Sequence, residues 1–304
     1  MGSSMNRKPI TIVGAGLAGA TAAALLKDRY AVTVIEKEHK HGGLCADARG
    51  WQECGPHAFH TDDEEVWEFV QRLAEWRPFV LRVHVQTDPA LRVLPYRRDD
   101  DPAFRIYSEK AWGLPFAELP ASIRARVPGQ CEDGRTGYHA GRYRAQPEGG
   151  YSAMIARMLH GVTILGFDRR VCGADHPVIW TGNLNDATPE LPPLRWFGRQ
   201  WFRGDGRIDS GGHIVNHATW TVPQLRSWDN GKINPWHVGR GVGVEFAGDR
   251  PCYPHPDDAG EAQRRVSELR ARGVWCCGRM GGYQYLDMDA TIRNVMDTIK
   301  EAGL

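Results

Sequence analysis

Residues 10–43 read ITIVGAGLAGATAAALLKDRYAVTVIEKEHKHGG, and they decide the fold. An apolar β-type run, Ile10 to Val13, leads into G-x-G-x-x-G at Gly14, Gly16 and Gly19. An Ala/Leu-rich stretch to Leu26 predicts a helix, and Val32 to Ile35 predicts a second strand ending on Glu36. Each part has a physical task. Gly14 allows a tight turn, Gly16 lets backbone N–H groups approach a pyrophosphate, and Gly19 lets helix and strand pack closely. The Glu36 carboxylate is placed to accept hydrogen bonds from a ribose. The unit therefore predicts a dinucleotide site.

Glu36-Lys37, then Gly42-Gly43 followed by Leu44, extend this pattern, which resembles the FAD-binding form of the fold, where a second glycine pair lies beside the cofactor. A signal peptide, suggested by Arg7-Lys8 before an apolar run, is excluded by the glycines within the run. Met1 to Ser4 (MGSS) reads as an expression remnant before a start at Met5. The 304 residues carry 38 basic and 37 acidic side chains, so nothing predicts a nucleic-acid or anionic-membrane surface. No apolar run is long enough to span a bilayer. Seven cysteines without a C-x-x-C fit reduced thiols better than a disulfide framework or zinc site, and a cytoplasmic protein is expected.

Outward from the glycine motif, residues 62–77 have apolar positions at helical spacing after an acidic start and predict one helix. Residues 79–94 suggest strands, 97–104 a polar break, and 128–147 a mobile loop. Val178 to Trp180 predicts a short strand running into the turn Thr181-Gly182. Residues 194–246 predict an antiparallel sheet, and Ala290 to Glu301 a final helix. The expected fold is α/β. It has a Rossmann-like FAD-binding domain of glutathione-reductase type, an antiparallel substrate domain and a reduced helical domain. Residues 5–60, 150–185 and 270–304 would form the cofactor domain, with 61–149 and 186–269 as the substrate region.

Further blocks follow in order: CGPHAFHTDDEEVWEFV (54–70), IYSEKAWG (106–113), ELPASIRARVP (118–128), GGYSAMIARML (149–159), HATWTVPQLR (217–226), CYPHPDD (252–258) and CGRMGGYQYLDMDATI (277–292). Together they resemble the UDP-galactopyranose mutase family along most of the chain. The resemblance implies a redox-neutral ring contraction of a nucleotide-linked galactopyranose to the furanose. Reduced FAD is then the nucleophile toward the anomeric carbon. It also implies roles. Arg226 would hold the diphosphate, with Tyr253 and Tyr285 donating to the same phosphates. Tyr107 would stack on the base, Trp112 would flank the sugar, and Tyr138 would close over phosphate. His57 would offer a backbone contact to the flavin. Arg279, Asp287 and Met288 would lie at the flavin and its ribityl chain.

Three departures from the family pattern stand out. The interval 79–105 is too short for the family's helical insertion. The loop arginine falls on Gln130, with Arg135 or Arg142 as substitutes. Pro56 occupies the small position before His57. These changes sit more on the nucleotide side than on the cofactor side, so the expected partner is a nucleoside-diphosphate hexose, UDP- or GDP-linked, with the oligomeric state open. Alternatives are an amine-oxidase-like flavin oxidoreductase, a non-catalytic nucleotide-sugar-binding protein, and a flavin-independent mutase using a divalent metal at His57 and His60.

Overall fold

The structure, a computed structural model, describes residues 7–48, 50–88, 90–93, 101–124, 138–139, 141–166, 175–235 and 240–304. Five parallel strands form one sheet in the order Thr163–Gly166, Ala31–Glu36, Pro9–Val13, Val178–Trp180, Val274–Cys276. Parallel strands need crossover connections, so the sheet draws on separated stretches of chain. The helix Leu17–Leu26 is apolar nearly all round, and Ala20, Ala22, Ala23 and Leu26 are fully buried. Such a helix must be covered on several sides. It packs against Gly150–Leu159 and Met288–Glu301, and Met154, Ile155, Ile292 and Val295 complete that core.

The second large sheet has seven strands: Arg250–Pro254, Trp196–Gly204, Val242–Ala247, Arg226–Asp229, Ile214–His217, Val83–Gln86 and Leu91–Val93. The antiparallel sheet expected from residues 194–246 is thus larger and mixed, because Ile214–His217 pairs in parallel with Val83–Gln86. The two strands lie far apart in sequence, so no hairpin fixes their direction. Trp228 of this sheet packs in one core with Phe104 of the helix Pro102–Trp112 and with Phe116.

Three local expectations are corrected. The helix predicted over 62–77 ends at Gln71, and Trp76–Pro78 is an edge strand. Trp76 packs on Phe59 and Trp67 at centroid distances of 5.0 and 5.5 Å, which draws it out of helical register. The polar break at 97–104 is cut short by a helix at Pro102, because Asp101 accepts the Ala103 N–H at 2.9 Å as N-cap and proline suits the first helical position. Within the loop expected over 128–147, Tyr143–Pro147 is instead the central strand between Phe59–Thr61 and Trp76–Pro78. Tyr143 stacks on Trp67 at 4.8 Å, and Gln146 is wholly buried. Among the described residues no helix is long and apolar enough to cross a membrane, and Cys45, Cys54, Cys252, Cys276 and Cys277 carry free thiols.

Candidate functional site

Two adjoining clefts share Leu44, His57, Arg279 and Met288 in their walls. The first, of about 430 Å³, is built on the glycine turn. Gly14 has φ +98° and lies against Thr181, whose hydroxyl donates to the Val13 carbonyl at 2.8 Å. A Cβ on Gly19 would sit 1.8 Å from the Gly14 carbonyl oxygen, so only glycine lets the helix approach the turn. Gly43, at φ +58°, packs its Cα against Gly16, and a Cβ there would lie 3.1 Å from the Gly16 Cα. The helix Leu17–Leu26 starts without a side-chain cap. Its first N–H groups, with the helix dipole, suit an anion. Glu36 accepts from Ala15 N at 2.6 Å and Glu38 N at 2.9 Å. A carboxylate has about four lone-pair positions, so capacity for a ribose remains.

The second cleft, of about 230 Å³, lies between the seven-stranded sheet, the helix Pro102–Trp112 and the start of the final helix. Glu245, itself buried, organises its floor. Its Oε2 accepts from Arg226 Nη2 at 2.8 Å and Trp201 Nε1 at 2.7 Å, and its Oε1 lies 3.6 Å from Arg199 Nε. Arg226 Nε and His57 Nδ1 are buried and find no hydrogen-bond partner among the described residues. Trp112, Tyr253 and Tyr285 form an edge-on aromatic triangle with centroids 4.8 to 5.6 Å apart. Arg199 and Arg279 lie over the Tyr253 ring at 5.0 and 5.1 Å, a cation–π arrangement on a buried ring.

Burial sets most of the protonation states. It pushes the Tyr107 hydroxyl up to about 12 and those of Tyr138 and Tyr253 higher still, so all three remain hydrogen-bond donors at neutral pH. Burial is the largest single influence on Arg226 and opposes its charge, but Glu245 together with the neighbouring Tyr253 and Tyr107 holds its pKa above the ordinary value. His57 is lowered to about 4, first by burial and then by Arg279 and Arg226, so its ring is neutral.

Of the predicted cofactor residues, Gly14, Gly16, Glu36, Lys37, Gly43, Leu44, His57, Thr181, Gly182, Arg279 and Met288 line the first cleft. Gly19 does not, because it is spent on helix packing, and Asp287 lines the second cleft. Tyr107, Trp112, Tyr138, Arg226, Tyr253 and Tyr285 gather in the second cleft. Arg142 does not reach it: its side chain pairs with Glu64 at 2.8 Å at the exposed start of a strand. Gln130 and Arg135 lie outside the described residues. The backbone contact expected from His57 is already committed. Its N–H donates to Gln52 Oε1 at 2.7 Å, and its carbonyl accepts from Gln52 Nε2 and Gln146 Nε2 at 3.0 and 2.6 Å. His60 stacks on His139 at 3.8 Å, and among the described residues no group of three or more His, Cys, Asp or Glu is arranged to hold a metal.

Arg199, Glu245, Asn216, Gln52 and Gln146 escaped the sequence reading. Arg199 and Glu245 lie on neighbouring strands in aromatic-rich segments, where alternation of buried and open positions was the available signal. The glutamines carried none.

Comparison with known proteins agrees with this fold. Residues 12–73 match the family model of the NAD(P)-binding Rossmann-like domain, and residues 103–285 match that of UDP-galactopyranose mutase. A protein named "Probable UDP-galactopyranose mutase" from Klebsiella pneumoniae is 26% identical, over 98% of this chain and 95% of its own length. That alignment runs over 370 positions against a chain of 304, so parts of the relative have no counterpart here. The dTDP-fucopyranose mutase of Escherichia coli is 24% identical over 95% of this chain and 96% of its own. A crystal structure of reduced UDP-galactopyranose mutase superposes with a TM-score of 0.79 at 12% identity, covering 98% of this chain and 94% of that one. Since the mutase model spans more than half of the sequence, the chain belongs to the UDP-galactopyranose mutase family.

Proposed function

We propose that this protein is a nucleotide-sugar mutase that interconverts the pyranose and furanose forms of a hexose linked to a nucleoside diphosphate, with FAD in the glycine-turn cleft. The supporting observation is the junction of the two clefts at Leu44, His57, Arg279 and Met288, where a dinucleotide site meets a slot lined by arginines and tyrosines. Residues of the glycine-turn cleft, among them Gly14, Gly16, Glu36 and Arg279, would hold the flavin, which in reduced form would supply a nucleophilic nitrogen for the anomeric carbon. The net reaction breaks and remakes the bond from that carbon to the diphosphate and exchanges one ring oxygen for another, with no net change of electrons.

The chain's own residues supply position and charge. The unpartnered Arg226 Nε is a buried donor that a phosphate oxygen satisfies. Glu245 holds that guanidinium in place. Tyr253 and Tyr285 add neutral donors, Trp112 walls the sugar, and Tyr107 and Tyr138 face the nucleotide side. An aminic substrate, as in the oxidase alternative, would meet the guanidinium groups of Arg199, Arg226 and Arg279 in the same cleft.

The shortened nucleotide side supports a nucleotide other than UDP, with a GDP-linked hexose as the first candidate. The test incubates dithionite-reduced protein separately with UDP-galactose, dTDP-fucose and GDP-linked hexoses, and separates products by chromatography. The expected result is furanose from a GDP sugar, dependent on reductant and on bound flavin. Turnover confined to UDP-galactose removes the nucleotide assignment. A purified protein that never takes up flavin, or a product of altered oxidation state, overturns the mutase reading.

A further inference from the structure

Arg226 opens its strand at the end of an irregular loop, residues 218–225, that follows the strand Ile214–His217. Four carbonyls from this region turn inward onto a single side chain. Lys110 Nζ lies 3.3 Å from His217 O, 2.9 Å from Thr219 O, 2.5 Å from Val222 O and 2.7 Å from Gln224 O. An ammonium carries three donors on a compact point charge, which suits carbonyls converging from several directions. Elsewhere the loop is held by Ala218 N to Gln86 O at 2.9 Å, Leu225 N to Glu245 O at 2.7 Å, and the Thr219 and Thr221 hydroxyls on Asp88.

Lys110 comes from the last turn of Pro102–Trp112, the helix that also places Tyr107 and Trp112 in the second cleft. The ammonium thus fastens the helix bearing Tyr107 and Trp112 to the segment that delivers Arg226.

We propose that Lys110 is a positioning residue: its ammonium, caged by these four carbonyls, sets the spacing between the Tyr107–Trp112 wall and Arg226, and so sets the affinity for the nucleoside diphosphate portion of the substrate. This rests on the functional reading given above. The Lys110 side chain itself contacts the loop and not the substrate. Its loss therefore acts on substrate binding and leaves the flavin cleft as it was.

The test titrates UDP, dTDP and GDP onto flavin-loaded protein and measures turnover of whichever sugar nucleotide the wild type converts. Lys110→Met keeps length and removes charge. The expected outcome is about a ten-fold weaker Kd and a comparable rise in KM, with kcat within about two-fold and flavin content and visible spectrum unchanged. Lys110→Arg keeps charge but replaces the point donor by a planar fork, and it too should raise KM. In Lys110→Ala, added propylammonium should restore part of the lost affinity.

Lys110→Met and Lys110→Arg proteins with wild-type Kd and KM overturn the proposal. So does a loss of affinity accompanied by an equal loss of flavin, or one that propylammonium leaves unchanged. Wild-type holoprotein that binds none of the three nucleotides sinks the functional reading itself, which separates that failure from this one.

Discussion

At the residue scale, the buried histidines make stability depend on pH. His57, His213 and His217 are each lowered to about 4, with burial as the main cause. In an unfolded chain each takes up its proton near about 6.5. Between those values the unfolded state binds more protons than the folded state, so stability falls as pH drops through that window. Urea midpoints should therefore decline from pH 7 to pH 5, and His217→Gln should flatten the decline. Stability independent of pH across this range would contradict the burial of these rings. The same burial governs the cleft, where His57 stays neutral beside Arg226 and Arg279 and does not compete with them as a cation. His57 and Arg226 were readable from local motifs. Glu245 was not, since its partner Arg226 is 19 positions away and their meeting requires two strands in register.

At the scale of elements, glycines that look alike in the motif do different work. A Cβ on Gly19 would meet the Gly14 carbonyl at 1.8 Å, whereas one on Gly16 meets nothing closer than 3.7 Å and needs no unusual φ. Gly19→Ala should therefore push the helix Leu17–Leu26 off the first strand and cost about 1–3 kcal/mol or more in urea unfolding. Gly16→Ala should fold normally but bind dinucleotide more weakly, because the new methyl stands at the helix N-terminus where a pyrophosphate approaches. Equal stability of the two variants would reject this division. Strand Tyr143–Pro147 shows the limit of local reading. Its Gly-, Arg- and Tyr-rich surroundings suggested a loop, yet stacking of Tyr143 on Trp67 and burial of Gln146 make it the centre of a sheet.

At the scale of the whole molecule, the two clefts meet because the five-stranded parallel sheet and the seven-stranded mixed sheet are bridged by the segment carrying Arg279, Tyr285, Asp287 and Met288. A cofactor bound to that junction should tie the layers together. Under the proposed function, FAD at about 100 times its Kd should stabilise the fold by about 2.7 kcal/mol, and the melting temperature should rise with added FAD. A melting temperature unmoved by FAD would count against the cofactor. Residues 10–43 determined by themselves the strand, turn, helix and acid of the dinucleotide unit, because those features rest on nearest-neighbour backbone sterics and period. The ordered motifs likewise marked Tyr107, Arg226, Tyr253 and Tyr285 without any coordinates. Only the tertiary structure decided the parallel pairing of Val83–Gln86 with Ile214–His217, the Arg199–Glu245–Arg226 floor and the carbonyl cage around Lys110. Each of these depends on groups distant in sequence being desolvated together, and no local pattern encodes that.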